Sequence, residues 1–261
     1  MKCRNILNRL YKRCPLSLAE EWDNVGLLAG RPEKEVRRVY IALDATDEVI
    51  EHAVERKADM LLTHHPMIFS AMKKITGDDF TGRRIMELIK HDISYAALHT
   101  NYDIACMADN ASELLALKDT IPLCPSGETD EDRGTGLGRI GTLPETCTLK
   151  ECAELVKERF SIPNVRIYGD VNSVVETVAI LPGSGGSEIS FAILNNADVY
   201  ITGDISHHQG LDAVLQGLAV IDAGHYGIEK IFIEDMRNWF LKELPELTVY
   251  TEAPEEPFEV L

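Results

Sequence analysis

The chain has few of the features that would assign it to a membrane, to a nucleic acid or to a secreted class. No apolar stretch approaches the roughly 20 residues that span a bilayer, and the N-terminal segment MKCRNILNRLYKRC contains no apolar run of signal-peptide length. Basic residues are scarce: 26 lysines and arginines stand against 43 acidic residues, and the formal charge of −17 would repel a phosphate backbone. We therefore expect a cytoplasmic protein without a membrane or a nucleic acid as its main partner.

The cysteines lack the spacing of a metal or disulfide framework. None of the six belongs to a Cys-x-x-Cys pair, so a zinc ribbon is not indicated. We interpret them as reduced thiols, with a redox role at the surface as the alternative.

Length and composition favour a globular protein of two domains. The chain has 261 residues, 45% of them hydrophobic, whereas single domains commonly have roughly 100 to 150 residues. The segment 124–146 is rich in glycine, proline and acidic residues and has no sustained apolar period, so it marks a boundary. We predict a first lobe over 1–123, completed by the C-terminal segment 223–261, and a second lobe over 124–222.

The first half alternates short apolar runs with helical patterns. The predicted order is a helix over 3–13, a strand over 39–46, a helix that Asp47 caps, a strand over 58–63, a helix over 83–91 and a strand over 93–100. A further helix is predicted over 230–243, and LTVYTE is a candidate final strand. Strands that alternate with helices of about ten residues indicate a parallel sheet with right-handed crossovers.

The second half repeats this plan. The segment 39–65 and the segment 177–204 both run strand, turn, helix, Ala-Asp, strand and polar cluster, and Ala58-Asp59 falls on Ala197-Asp198. An internal duplication explains the match, and a coincidence between two ordinary β-α-β units is the alternative. We predict an α/β fold of two similar lobes, in which helices flank mixed, largely parallel sheets.

Unusual polar residues follow the predicted strands. Ligands of open α/β sheets bind beyond the carboxyl ends of the strands, and we expect the strand ends of the two lobes to converge on one site. The residues at these ends are His64, His65, His99, Asp103, Asp204 and His225, with Glu229 four residues after His225.

Imidazoles mixed with carboxylates are metal ligands. Neighbouring His64 and His65 point in different directions on an extended turn, so two ions are more natural than one. Imidazole and carboxylate together suit zinc, iron or manganese rather than calcium. We predict two divalent ions per subunit, held by His64, His65, Asp103, His225 and Glu229.

Each of these residues also has an ordinary structural explanation. A His-His pair in a loop is commonly solvated or hydrogen-bonded, and His225 with Glu229 can be a salt bridge at a helix start. Asp103 can cap a turn. His99 is either a hydrogen-bond donor to a ligating carboxylate or a buried, satisfied histidine.

Several further residues are candidates for substrate contacts or proton transfer. His208 is a candidate acid or base near the metals, with His207 as its solvated neighbour. Lys73 and Lys74 are candidate phosphate contacts, although a solvated lysine pair is the default. The loop of Gly183, Ser184 and Gly185 precedes a helix and offers backbone N–H groups to an anion, but a plain Gly-Ser turn is commoner.

Six ordered segments carry a family resemblance: EEWDNVGLLAG, LLTHHPMIF, LHTNYD, GLGRIG, DVYITGD and DAGHYGIE. The chain resembles the NIF-three-like family of GTP cyclohydrolase 1 type 2 homologs. The resemblance implies two similar α/β lobes, a ring-shaped homohexamer and a dinuclear metal site on the same five residues selected above. Longer members of the family insert an extra domain. His208 of this chain lies at the position of a histidine that is usual in the family, but this chain lacks a further histidine that some members have.

Two functions follow as hypotheses. The first is a metal-dependent hydrolase of a nucleotide or small phosphorylated compound. The case that the family resemblance implies is opening of the GTP imidazole ring with release of formate. In that reaction His208 or Glu229 would transfer protons. The second is a non-catalytic, metal-binding hexameric scaffold or partner-binding protein. A catalytic site keeps an open coordination position, whereas a structural site is closed.

Overall fold

The computed structural model describes residues 1–126, 134–256 and 258, which form two compact units. The first unit comprises Met1–Tyr102 and Phe232–Pro254, and the second comprises Asp103–Ile231 and Glu255–Leu261. Part of the predicted boundary segment, 127–133, lies outside the described residues.

The first unit is built on a five-stranded sheet with flanking helices. The strands, in the order β1-β4-β3-β2-β11, are β1 (Gly26–Ala29), β2 (Arg38–Ala42), β3 (Met60–Thr63), β4 (Ser94–Ala97) and β11 (Thr248–Thr251). All neighbours are parallel except β1, which pairs antiparallel with β4. The helices are α1 (Cys3–Arg13), the 3₁₀ turn Leu16–Leu18, α2 (Asp47–Glu55), α3 (Phe80–Lys90), α4 (Thr100–Tyr102) and α10 (Ile231–Glu243).

Local sequence explains these elements. All four residues of β3 are buried, as expected of a parallel strand covered on both faces. Helix α1 buries one face and ends at Arg13, ahead of Pro15, as the spacing predicts. The prediction that Asp47 caps α2 is wrong: the hydroxyl of Thr46 accepts the bond from the Val49 N–H over 3.1 Å, and Asp47 is the first helical residue.

The second unit is built on a six-stranded mixed sheet. The strands, in the order β5-β6-β8-β9-β10-β7, are β5 (Lys118–Pro125), β6 (Gly136–Thr148), β7 (Arg166–Tyr168), β8 (Val174–Ser184), β9 (Val199–Gly203) and β10 (Ala219–Asp222). The helical elements are the π-helical turn Asp103–Met107, α5 (Ala108–Leu114), α6 (Leu149–Phe160), α7 (Ile189–Leu194), α8 (His207–Leu215) and α9 (His225–Glu229).

The units do not divide where the predicted domain boundary lies. Strand β5 pairs antiparallel with β6, and β6 pairs antiparallel with β8, so the second unit begins at Asp103 and not at residue 124. The described part of the segment 124–146 is therefore mostly strand, with Ile140 and Leu143 buried in the core. The glycines and prolines of this segment are typical of a loop, so the sequence pattern alone does not indicate these strands.

The aspartates of the two Ala-Asp pairs in the predicted duplication make the same hydrogen bonds in both units. The carboxylate of Asp59 accepts the backbone N–H groups of Arg37 and Arg38 at 2.8 and 2.9 Å. The carboxylate of Asp198 accepts those of Glu176 and Thr177 at 2.9 and 2.8 Å. Each aspartate thus ties the start of its own strand to the neighbouring parallel strand.

The strand registers match as well. Val39 pairs with Met60 in the first sheet and Val178 pairs with Val199 in the second, so the paired residues are equally far apart in sequence. Shared register and shared capping are features that an internal duplication would produce. No helix among the described residues has the length and apolar character needed to cross a membrane.

Candidate metal centre

Three histidines of the first unit lie together at one edge of its sheet. His64 and His65 follow β3 directly, and His99 follows β4. Because β3 and β4 are parallel neighbours, their carboxyl ends meet at the same edge. The ring centroids are 4.9 to 5.7 Å apart, and one nitrogen of each ring lies within 4.8 Å of the others. This group can hold a metal ion.

A backbone carbonyl orients the most buried of these rings. The side chain of His64 is fully buried, and its Nδ1 lies 2.8 Å from the carbonyl oxygen of Leu98. A carbonyl oxygen only accepts, so Nδ1 carries the hydrogen and the lone pair of a neutral ring is on Nε2. The backbone carbonyl just after β4 therefore selects the tautomer that a metal ligand needs.

Carboxylates orient the other two rings in the same way. Nδ1 of His65 lies 2.8 Å from Oδ1 of Asp44, and Nδ1 of His99 lies 2.9 Å from Oδ1 of Asp23. A carboxylate behind a histidine fixes the ring orientation and the tautomer, which is the usual arrangement behind ligating histidines.

Asp23 is held as an anion by its surroundings. Burial would raise its pKa, but hydrogen bonds donated by His99 and by the hydroxyl and N–H of Thr100 outweigh the burial and lower the pKa to about 2. The side chain has no exposed surface, so these bonds replace water completely.

The second unit contributes a His-Glu pair on the short helix α9. Nε2 of His225 lies 3.0 Å from Oε2 of Glu229, one helical turn further on, and Nδ1 lies 3.0 Å from Oδ2 of Asp204. The side chain of Glu229 is only 4% exposed. Nε2 of His225 and the carboxylate of Glu229 are close enough together for one metal ion to bind both.

Gly183 allows the carboxylate of Glu229 to approach strand β8. A Cβ at this position would collide with Oε1 of Glu229, and the φ of +90° is one that residues with a side chain rarely adopt. The first residue of the predicted anion loop therefore makes room for a predicted ligand.

A buried aspartate fixes the loop that leads into α9. Asp222 accepts hydrogen bonds from the N–H groups of Ile205 and Gly224, both over 3.1 Å, and from the guanidinium of Arg166. Its buried charge is thus paired and hydrogen-bonded. The bonds tie the end of β10 to the Asp204 region that holds His225.

A cavity of about 820 Å³ borders this loop and belongs to the second unit alone. Its charged lining is Arg166 with Asp204, Asp222 and Glu256. Three carboxylates against one guanidinium make the cavity net negative, so it does not suit a phosphate group.

Asp103 begins the π-helical turn Asp103–Met107, directly after α4. Such turns are rare and frequent at functional sites. The preceding residue is anchored, since the hydroxyl of Tyr102 donates to Asp235 over 2.6 Å. Asp103 is half-buried and belongs to the second unit.

The donor atoms fit a transition metal or zinc. Imidazole nitrogens with fixed tautomers dominate the first unit's group, and a buried carboxylate with one imidazole forms the second unit's pair. Calcium and magnesium prefer oxygen donors, whereas zinc, iron and manganese accept this mixture.

A family model described as Duf34/NIF3 (NGG1p interacting factor 3) matches residues 1–255. The chain belongs to the DUF34/NIF3 family. This confirms the resemblance that the six sequence segments carry.

Relatives of the family agree over nearly the whole chain. A GTP cyclohydrolase 1 type 2 homolog from Clostridium perfringens is 37% identical over 231 residues, which are 88% of this chain and 87% of the relative. A Bacillus cereus protein related to NIF3 has a TM-score of 0.90 at 25% identity and covers 100% of this chain and 99% of its own. Reduced HcgD from Methanocaldococcus jannaschii has a TM-score of 0.82 at 31% identity, covering 96% and 97%. The DUF34/NIF3 fold of mixed α/β sheets with flanking helices is thereby confirmed.

The other predicted residues lie as follows in this family member. Lys73 and Lys74 are exposed in the long connection between β3 and α3. His208 is exposed in the first turn of α8, where its ring meets that of His207 at 5.2 Å, and it belongs to none of the clusters of three or more possible ligands among the described residues. Its role in proton transfer stays a prediction.

The predicted anion loop is partly occupied by its own hydrogen bonds. The N–H of Gly185 donates to the hydroxyl of Thr202 over 3.0 Å, and its carbonyl accepts from Tyr200 over 3.0 Å. Ser184 is exposed at the end of β8. The N–H of Gly185 is therefore used within the fold, which weakens the case for a phosphate contact there.

Sequence reasoning missed the carboxylates behind the histidines, Asp23 and Asp44. A signal for both exists: Asp44 follows β2 at the same sheet edge as the histidines, and Asp23 lies in the EEWDN segment. Asp204 is a predicted strand-end residue, but no local pattern predicts its contact with His225.

Proposed function

We propose that this DUF34/NIF3 protein is a metal-dependent hydrolase of a nucleotide or another small phosphorylated compound, active in the cytoplasm as a homohexamer. The observation that carries the proposal is the group of three histidines whose Nδ1 atoms are all held by fixed acceptors. A histidine that serves only to fill a core needs no such uniform arrangement. Free thiols at all six cysteines fit a reducing compartment.

We further propose two ions per subunit, with His64, His65, Asp103, His225 and Glu229 as ligands. Charge supports this set, because the first unit's group contains imidazoles only, while Asp103 and Glu229 would offset the charge of two dications. When bound, such a pair supplies Lewis-acid polarisation and lowers the pKa of a water molecule.

The side chains themselves would orient and move protons. Asp44 and Asp23 hold the rings of His65 and His99 in one orientation, so the groups are organised before substrate arrives. Glu229 is the proposed proton acceptor, since its carboxylate is buried and lies 3.0 Å from Nε2 of His225. His208 is the alternative. Opening of the GTP imidazole ring with loss of formate is the reaction suggested by the relatives that are named GTP cyclohydrolase 1 type 2 homologs.

Turnover by defined metal forms tests the proposal. The chain is stripped with a chelator, loaded separately with zinc, manganese or ferrous iron, and incubated with GTP and a panel of nucleotides; formate, phosphate and nucleoside products are measured. We expect turnover with at least one metal, and its loss in His65→Ala with retention of the folded state. His91→Ala, which removes an exposed histidine of the same unit, is the control. Absence of any product with every metal would contradict the proposal.

The second candidate function is a metal-binding scaffold that binds a protein partner. Exposed leucines on the second unit favour it: Leu194 on α7 and Leu215 on α8 are each 76% exposed, and Leu211 on α8 is 46% exposed. Leu211 and Leu215 lie four residues apart on α8 and so share one helix face, and a contiguous exposed apolar face is typical of an interaction surface. If the protein is such a scaffold, His65→Ala should lower the melting temperature or change the mass of the assembly, and the wild-type protein should show no turnover.

A further inference from the structure

Two large aromatic side chains are exposed beside the histidine group of the first unit. Trp22 is 58% exposed and Phe69 is 52% exposed, and their ring centroids lie 5.7 Å apart. The indole of Trp22 also meets the ring of His99 edge-on, with centroids 6.0 Å apart. Single exposed apolar residues are ordinary, but two touching aromatic rings next to a group of metal ligands form a surface suited to binding.

The loop that carries Trp22 is fixed by hydrogen bonds on both sides of the indole. The N–H of Asp23 donates to the carbonyl of Glu20 over 3.0 Å, and the carboxylate of Asp23 accepts from His99. The side-chain amide of Asn24 donates to the carbonyl of Ile68 over 2.5 Å. This last bond joins the Trp22 loop to the loop that carries Phe69.

The Phe69 loop is anchored from the sheet. The hydroxyl of the buried Tyr95 accepts from the N–H of Met67 over 2.7 Å and donates to the carbonyl of His65 over 3.1 Å. The anchored residues belong to a connection without regular structure that runs from residue 64 to residue 79, between the end of β3 and the start of α3. Irregular connections of more than about 12 to 15 residues are uncommon in compact domains and are usually functional.

Resting on the metal-dependent function proposed above, we propose that Trp22 and Phe69 form a platform on which a flat heteroaromatic ring of the substrate, such as a nucleobase, stacks next to His99. An aromatic face accepts any nucleobase, because every base has a π-face of its own. Stacking on Trp22 places the ring at the edge of the histidine group. Lys73 and Lys74, exposed further along the Phe69 loop, are then available to an anionic substituent.

Charge favours the first unit, rather than the second, as the place where an anionic group of the ligand binds. The cavity beside Asp204 in the second unit is lined by three carboxylates and one guanidinium, and its net negative charge repels a phosphate. The Phe69 loop carries the adjacent exposed lysines Lys73 and Lys74, whereas its two aspartates, Asp78 and Asp79, lie at the end next to α3. A base on the aromatic platform and a phosphate near the lysines match a nucleotide.

Tryptophan fluorescence tests the platform without any need for turnover. The chain has two tryptophans, and Trp239 lies in α10 against Phe240, so Trp239→Phe leaves Trp22 as the single reporter. The metal-free Trp239→Phe protein is titrated with guanosine 5′-monophosphate, adenosine 5′-monophosphate and ribose 5-phosphate. We expect saturable quenching by both nucleotides and none by ribose 5-phosphate, which has the phosphate but no base.

Variants separate stacking from other effects. Equilibrium dialysis of labelled guanosine 5′-monophosphate is expected to show binding about five-fold to 100-fold weaker in Trp22→Ala and in Phe69→Ala. Trp22→Phe, which keeps a π-face, is expected to stay within about three-fold of the wild type. Phe80→Ala removes a ring that is also 58% exposed in the same unit and is expected to leave binding unchanged.

The platform and the proposed activity fail in different ways. Nucleotide binding that depends on Trp22 in metal-free protein supports the platform even if no metal form has turnover. Equal binding by Trp22→Ala and the wild type overturns the platform even if nucleotides are hydrolysed. A change in assembly mass by light scattering in Trp22→Ala, with nucleotide binding intact, also overturns it, because the rings would then be a contact between copies of the chain.

Discussion

The imidazole of His65 and the carboxylate of Asp44 form a hydrogen-bonded pair in which Nδ1 lies 2.8 Å from Oδ1. Asp44 lies just after β2 and His65 just after β3, so the pair bridges two neighbouring parallel strands at one sheet edge. The pair makes His65 part of a rigid edge rather than of a mobile loop. A ligand on such an edge is oriented before the ion arrives.

Asp44→Asn is expected to weaken metal binding about ten-fold to 100-fold, because loss of the carboxylate lowers the basicity of the His65 ring and loosens its orientation. Competition with a chromophoric chelator measures the affinity. Glu51→Gln, which neutralises an exposed carboxylate of α2, is the control and should not change it. Equal affinities for Asp44→Asn and the wild type would show that His65 is not a ligand.

Acid stability of the metal-free protein should depend on Asp23. Its folded pKa of about 2 lies below the ordinary value of 3.8, so the ionised form stabilises the fold at pH values above about 4. This contribution, about 2 kcal/mol, is lost as the pH falls from 4 to 2. In Asp23→Asn the unfolding free energy should be lower at pH 6 and should fall less steeply between pH 4 and pH 2.

Denaturant unfolding at a series of pH values measures this difference. Glu21→Gln is the control, since Glu21 is an exposed neighbour in the same turn. A parallel pH dependence in Asp23→Asn and the wild type would mean that the bonds from His99 and Thr100 do not hold the carboxylate as an anion.

If the proposed hydrolase acts on a phosphorylated substrate, Lys73→Ala combined with Lys74→Ala should raise KM by about three-fold to ten-fold. Exposed lysines attract a phosphate weakly and at long range, so kcat should change little and the effect should fade at high salt. Steady-state kinetics at low and high ionic strength measure it. Lys12→Ala with Lys90→Ala removes the same charge from other exposed positions of the unit. An equal rise in KM there would attribute the effect to net charge alone.

The strands and the histidines at their ends could be predicted because their signals are local. Apolar runs that stop abruptly at polar residues are visible in MLLT followed by His64 and in SYAA followed, two residues later, by His99. The family could be predicted from the same segments. The proposed ligand roles of the five residues stay predictions.

The contacts that orient the site could not be predicted, because they join residues far apart in sequence. Asp23 and His99 meet only through the antiparallel pairing of β1 with β4, which no local pattern specifies. Strand β6 was missed for another reason. Its glycines and proline are typical of a loop, whereas its pairing with β5 and β8 and its buried Ile140 are tertiary features.

Gly183→Ala is expected to disturb Glu229 as well as the backbone. Gly183 has a φ of +90° and a neighbouring carboxylate where the new methyl group would lie, whereas Gly217 has a φ of +89° and nothing within 4 Å. Both alanine variants pay a similar cost of backbone strain, about 1 to 3 kcal/mol. Only the methyl group at residue 183 also displaces the carboxylate of Glu229, so Gly183→Ala should lose more stability than Gly217→Ala.

Metal affinity makes the comparison specific to the site. If Glu229 is a ligand, Gly183→Ala should bind zinc or manganese at least about ten-fold more weakly than the wild type, while Gly217→Ala should match the wild type. Thermal melting of the metal-free proteins and chelator competition of the folded proteins measure the two effects separately. Equal metal affinities in the two glycine variants would leave Gly183 as a purely structural residue, because a displaced ligand cannot preserve the site that it completes.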